Sequence, residues 1–195
     1  MINFQINEHI ESSIGVKKLI LQNVEISNSL VSLAEDCAYA LKTGGKIIFA
    51  GNGGSFADAQ HLAAEFISRF LIEREPLSSI ALGTNSSSFS AIGNDYGFEN
   101  VFSRELKAIS KSNDIFIPIS TSGRSLNILR AIKTAIDMKL KTICLTGCNG
   151  GEAIDLCECI IIPSSNTALI QESHIMLGHI LCNMTEQFYM ANNFK

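Results

Sequence analysis

The sequence predicts an α/β protein: a doubly wound, parallel sheet of about five strands flanked by helices, with two helices before the sheet and a long one after it. Three observations carry this. Five short apolar runs, at 47–50, 79–82, 114–119, 141–145 and 159–162, lack the apolar/polar alternation of a half-exposed strand, as strands covered on both faces do. Stretches of helical character lie between them, and strands alternating with helices build parallel sheets. At 195 residues the chain suits a single domain spanning 1–195, long enough to bury about 70% of its unfolded surface without disulfide or metal staples.

The elements follow in order. Residues 2–21 carry Ile6, Ile10, Val16, Leu19 and Ile20 at a loose helical spacing that Gly15 interrupts. A second helix is clearer: Ile26, Leu30, Leu33, Ala34, Cys37 and Leu41 recur at three and four, and Gly44-Gly45 ends it. The apolar stripes of both helices need covering by the rest of the domain or by another subunit.

The stretch KIIFAGNGGSFADAQHLAAEF, residues 46–66, then runs from a buried strand through a glycine turn into a helix. Gly51, Asn52, Gly53 and Gly54 break the apolar pattern, and Ser55 is a natural N-cap. Unpaired N–H groups at such a helix start form a seat for an anion. One turn on, His61 and Glu65 at i, i+4 share a helix face.

Helical stretches at 86–92, 99–110, 125–138 and 152–156 separate the later strands. The segment DIFIPISTSGRS, 114–125, repeats the design of an apolar strand feeding small hydroxylated residues, a glycine and a helix. Ser120, Thr121, Ser122 and Ser125 gather hydroxyls at the carboxyl end of a strand, where open α/β sheets bind ligands and where a phosphate fits without lysine. The last helix, 168–190, offers Gln171, Glu172, His174 and His179. The eight residues from Gln171 to His179 turn the helix roughly 80° beyond two full turns, so both side chains look to one side, with His174 elsewhere on the circumference. His9 and His174 read as ordinary surface or core histidines. Imidazoles at His61 and His179 and the Glu65 carboxylate suit zinc or a similar divalent ion, with Gln171 as a less usual fourth ligand.

Composition excludes other classes. A net charge of −4 with dispersed Lys and Arg argues against nucleic acid or an anionic membrane as a partner. No apolar run approaches the roughly 20 residues of a membrane span, and the N-terminus has no signal-peptide core. Six cysteines set mostly in apolar runs point to a reduced cytoplasmic chain, and Cys157-Glu158-Cys159 reads as the edge of a strand rather than a metal hook. The glycine stretches match neither G-x-G-x-x-G nor G-x-x-x-x-G-K-[ST], which argues against a dinucleotide dehydrogenase or a P-loop NTPase and for a small phosphate ester.

The GNGGS, H-x-x-x-E, GND, STSG-x-S and IQE-x-H-x-x-x-x-H segments, in this order, resemble the sugar isomerase (SIS) superfamily and within it the phosphoheptose isomerase family. The resemblance runs from the N-terminal helices to His179. It implies an aldose–ketose isomerase converting sedoheptulose 7-phosphate to D-glycero-D-manno-heptose 7-phosphate, the first step towards activated heptose for lipopolysaccharide or capsule. It further implies a homotetramer with sites at subunit interfaces, and zinc at His61, Glu65, Gln171 and His179. Substrate contacts are implied at Asn52, Gly53, Gly54, Ser55, Glu65, Asn94, Asp95, Ser120, Thr121, Ser122, Ser125 and Gln171. Aldose–ketose exchange moves a proton between C1 and C2 through an enediol and needs a base and an acid, which assigns Glu65 and His179 as the catalytic pair. One departure stands out: many members read D-R-I-Q where this chain has Ala168-Leu169-Ile170-Gln171, losing an acid and an arginine near the site. Arg69 and Arg74 read as solvated helix-end charges rather than substrate contacts. The competing reading is a non-catalytic relative of the same fold, one that binds the replication initiator or senses a sugar phosphate. It is disfavoured because Glu65 and His179 are both present and no basic recognition helix opens the chain.

Overall fold

Five strands, β1 (Ile47–Gly51), β2 (Ser79–Ala81), β3 (Ile115–Ser120), β4 (Lys141–Gly147) and β5 (Glu158–Ile162), form one parallel sheet in the order β2-β1-β3-β4-β5. The structure is a computed structural model and describes residues 2–191, with side chains described from Phe4. Of the expected 1–195 unit, residues 1 and 192–195 therefore lie outside the described residues.

Every residue of β1 and β3 is buried, which explains their unbroken apolar runs. Successive side chains point to opposite faces. Ile47 and Phe49 of β1 and Ile115, Ile117 and Ile119 of β3 enter one core, whereas Ile48, Ala50 and Phe116 enter the other.

The first core is closed by α2 (Val24–Lys42), α3 (Gly54–Ile67), α7 (Thr167–Met190) and part of α1 (Ile2–Gln22). The second is closed by α5 (Val101–Ile109) and α6 (Leu126–Asp137), with α4 (Ser86–Tyr96) against its margin. Phe49 and Phe66 stack at 6.3 Å inside the first core, each fully buried, and burial of a side chain this size stabilises the fold by about 2–3 kcal/mol.

Three asparagines start helices. Asn23, Asn85 and Asn166 each accept two backbone N–H groups at the first turns of α2, α4 and α7. The expectations differ from the fold at four places. Gly15 does not interrupt α1, because a helical glycine costs only about 1 kcal/mol and Val16 and Ile20 beyond it are buried against the core. The stretch 152–156 is a short 3-10 turn, Ala153–Asp155, being too short to propagate as an α-helix. α4 runs on to Tyr96. Ser55 does not cap α3: Gly53 does, with φ +55° that glycine tolerates, and Ser55 sits buried in the first turn.

α7 lies close along α3. A Cβ on Gly178 would stand 2.6 Å from Leu62 Cδ1, and one on Gly54 would stand 2.0 Å from Gln171 Nε2. Gly54 thus meets Gln171 and Leu62 meets Gly178, so the two helices run side by side in the same direction. The strand order reverses between β1 and β3, and the crevice beyond their carboxyl ends is where sheets of this order take ligands. No helix among the described residues is long and apolar enough to cross a membrane.

Candidate active site

Two groups of side chains make up the site. The first lies between α3 and α7. His61 and Glu65 project from successive turns of α3, and His179 faces them from α7. His61 Nε2 stands 2.9 Å from His179 Nε2 and 3.2 Å from Glu65 Oε1. One ligand atom from each residue lies within 4.8 Å of the others. Two imidazole nitrogens meeting edge to edge must either share one proton or face a common cation, so this N, N, O set fits a divalent metal such as zinc. The His61 side chain is half exposed and that of Glu65 22% exposed, which leaves the cluster open on one side. Phe70 stacks on the His179 ring at 5.5 Å, with only 20° between the planes.

The second group lies at the crevice. Gly51 ends β1, Asn52 and Gly53 turn the chain, and Gly54 opens α3. Across from them Ser120 ends β3, and Thr121, Ser122, Gly123 and Arg124 lead to Ser125, the N-cap of α6. Neither α3 nor α6 receives a side-chain cap, unlike α2, α4 and α7. At α6 Asn127 Oδ1 accepts from Ile128 N at 3.0 Å, but neither N-cap side chain takes a first-turn N–H group, an arrangement suited to an anion. The Ser125 hydroxyl lies 3.4 Å from that of Ser120 rather than on its own helix.

The family model described as "SIS domain" matches residues 15–147, two thirds of the chain. A phosphoheptose isomerase from Aneurinibacillus thermoaerophilus is 46% identical over 194 residues, covering 99% of this chain and 98% of that one. The chain belongs to the phosphoheptose isomerase family of SIS-domain proteins. Phosphoheptose isomerase 2 of Campylobacter jejuni is 44% identical over 195 residues, 100% of this chain and 97% of its own. Among solved structures, a phosphoheptose isomerase from Neisseria gonorrhoeae superposes with a TM-score of 0.86 at 37% identity, covering 96% of this chain and all of that one.

Within this SIS domain the expected residues are distributed unevenly. His61, Glu65 and His179 come together. Asn52, Gly53, Gly54, Ser120, Thr121, Ser122 and Ser125 border the crevice. Gln171 lies over Gly54 at the start of α3, and His179 is eight residues, about 12 Å, further along α7. Asn94 and Asp95 occupy the exposed last turn of α4, where Asn94 donates to Asp95 at 2.8 Å. Leu169 is buried in the first core, and Ala168 at its exposed helix start is held by the Asn166 cap. Arg69 pairs with Glu73 at 3.3 Å on the surface, as a solvated charge does. Arg74 does not: its side chain is 2% exposed and bonds Glu186 at 2.8 Å, because the last carbonyls of α3 and a buried carboxylate draw it inward.

Three further residues escaped the sequence reading. Asn127, 3% exposed, exchanges two hydrogen bonds with Asn52 at 2.8 and 2.9 Å and so ties the glycine turn to α6. Its only sequence signal is an amide two residues after a serine cap. Asp58, one turn before His61, is buried with Oδ2 unpartnered; burial raises its carboxyl above the usual range, opposed by His61. Glu186 is fully buried, and its position seven residues after His179, on the same side of α7, was the available hint. His174, expected to be an ordinary surface or core histidine, is buried with Nε2 3.0 Å from the Thr146 carbonyl, and burial lowers its pKa to about 4. Among the described residues all six cysteines are free, and Cys159 lies in edge strand β5.

Proposed function

We propose that the protein is an aldose–ketose isomerase that converts sedoheptulose 7-phosphate to D-glycero-D-manno-heptose 7-phosphate. The observation that carries this reading is the His61–Glu65–His179 cluster on α3 and α7, beside a crevice whose two helix starts lack side-chain caps. Relatives at 44–46% identity named as phosphoheptose isomerases support the same substrate.

In this reading the phosphate lies against Ser120, Thr121, Ser122 and Ser125 at the start of α6, with Asn52, Gly53, Gly54 and Ser55 along the sugar chain. The distance from Gly54 to His61, about 10 Å along α3, matches the reach of an extended seven-carbon phosphate. Fixing both ends converts a floppy substrate into one whose reacting carbons are held beside the acid and base. Glu65 takes the proton from C1 and returns it at C2, while His179 gives a proton to the C2 carbonyl oxygen and takes one from the C1 hydroxyl. Asn94 and Asp95 bind sugar hydroxyls.

His61, Glu65 and His179 would hold zinc, and a divalent ion there polarises the carbonyl and steadies negative charge on its oxygen. One Glu65 oxygen faces His61, and a carboxylate has a second for the proton. Gln171 is the fourth ligand of the expected set. Side chains on a helix lean towards its N-terminus, so Gln171 and His179 of one chain do not share an ion. A fourth ligand from Gln171 therefore comes from another copy of the chain.

In this reading the sites lie at interfaces of a homotetramer in the cytoplasm. Apolar residues exposed on α1, among them Ile6, Ile10, Ile14 and Leu21, are the surface available for association. They continue into a groove of about 410 Å³ between α1, α2 and α7 that includes Val31, Met176 and Ile180. The alternative of a non-catalytic regulator of the same fold is not favoured, since the acid–base pair is intact and its geometry formed. The assembled protein supplied with zinc should form the aldose phosphate from sedoheptulose 7-phosphate, followed by NMR, and absence of that product contradicts the reading.

A further inference from the structure

A buried ion pair stands directly beneath the cluster, and nothing in the proposed chemistry uses it. The Glu186 side chain is fully buried and that of Arg74 is 2% exposed. Taking two charges out of water is costly and returns little unless every donor and acceptor is satisfied. Here they are. Glu186 Oε1 accepts from Phe70 N at 2.8 Å and Arg74 Nε at 2.8 Å, and Oε2 accepts from Leu71 N at 2.9 Å and Ile72 N at 3.1 Å. Burial alone would raise the Glu186 carboxyl, yet these N–H donors and the guanidinium hold it below the usual range. Arg74 Nη1 donates to the carbonyls of Phe66 at 2.9 Å and Glu75 at 3.1 Å, and Nη2 to that of Glu65 at 3.0 Å. Phe66 and Glu65 belong to the last turn of α3, whose carbonyls have no partner within the helix.

The pair therefore does three things at once. It caps the C-terminal end of α3 through the peptide carbonyl of Glu65 itself. It fastens that end to α7 seven residues beyond His179. It also folds the chain back over α7, which lays the Phe70 ring flat on the His179 imidazole at 5.5 Å. His61 lies edge-on to the same imidazole, at 5.1 Å and 72°. With one face covered by a phenyl ring and one edge opposed by His61, His179 has few orientations left, and Nε2 stays aimed into the cluster.

We propose that Arg74 and Glu186 form a positioning clamp that presses Phe70 onto His179 and fixes the separation of α3 and α7 at the His61–Glu65–His179 cluster. The proposal rests on the reading of that cluster as the active site, although its geometry stands apart from the choice of substrate. Phe70, Arg74 and Glu186 are positioning residues, since they act on the cluster through His179 and the Glu65 backbone.

The decisive variant is Phe70→Leu, which keeps the apolar burial and the buried pair while removing the stacked ring. In the metal-free assembled protein, side-chain NMR of the histidines should show the His179 ring signals displaced and the exposed His9 signals unchanged. With zinc and sedoheptulose 7-phosphate, kcat should fall about 10- to 100-fold, the range for residues that orient metal ligands, while KM changes less than about twofold. Zinc affinity, read by competition with a chromophoric chelator, should weaken over the same range. Arg74→Lys, which keeps the charge and loses the fork, should fall between wild type and Phe70→Leu. His179 signals and zinc affinity in Phe70→Leu equal to wild type overturn the clamp. A wild-type protein that proves inert towards the sugar phosphate overturns the isomerase reading instead, and the ring signals still judge the clamp.

Discussion

His174 and His179 sit five residues apart on one helix and have opposite chemistry, which follows from what surrounds each ring. His179 meets His61 and Glu65 at an open edge. His174 is fully buried against the Thr146 carbonyl, and desolvation lowers its pKa to about 4 from 6.5. A histidine depressed in the folded state binds its proton more readily unfolded, so stability rises with pH through this window and is lost as pH falls from 6.5 towards 4. The loss by pH 4 amounts to about 3 kcal/mol. Thermal melts of wild type and His174→Asn between pH 7 and pH 4 should diverge accordingly, with the shallower slope in the variant; parallel slopes contradict the burial account. For the proposed catalytic pair, Glu65→Gln and His179→Ala should each lower turnover by at least about 100-fold, the usual scale of general acid–base catalysis, with the oligomer unchanged by light scattering. Near-normal turnover in either overturns its role.

At the scale of elements, the contact of α3 with α7 decides the site. Gly178 permits it: an added Cβ would stand 2.6 Å from Leu62 Cδ1, both residues being buried. Gly178→Ala should cost about 1–3 kcal/mol by overpacking and lower the melting temperature by several degrees, with zinc affinity reduced as the helices part. An unchanged melting temperature would mean that α7 shifts without penalty. This contact also marks where the sequence stops being informative. Strands and helices were legible because their apolar periods are local. So were His61 and Glu65, spaced one turn apart. Asn127 and the Arg74–Glu186 pair were not, because their partners lie 75 and 112 residues away in sequence, and Asp58 was not, because a carboxylate has the same composition whether buried or solvated. Arg74 is the clearest case. Its letter predicts exposure, and only the uncapped carbonyls ending α3 and the Glu186 carboxylate explain its burial. Ser55 failed differently, since Gly53 alone tolerates the backbone angles of the turn and shifts the cap by two residues.

For the whole molecule, the open side of the cluster and the position of Gln171 mean that one chain forms an incomplete site in this account. Ile10→Asp, at a residue 51% exposed on α1, should dissociate the proposed tetramer by light scattering and reduce turnover with it. A dissociated chain with full activity would remove the need for a second copy. In the proposed reading the crevice at the β1–β3 switch of the sheet order β2-β1-β3-β4-β5 takes the anion, and the α3–α7 cluster supplies acid, base and metal ligands. The central claim is that these two parts act on one heptose phosphate. It is tested most directly by following sedoheptulose 7-phosphate by NMR with assembled, zinc-supplied protein. The account predicts D-glycero-D-manno-heptose 7-phosphate, formed with zinc present and lost on chelation; no aldose phosphate, or formation indifferent to chelation, would contradict it.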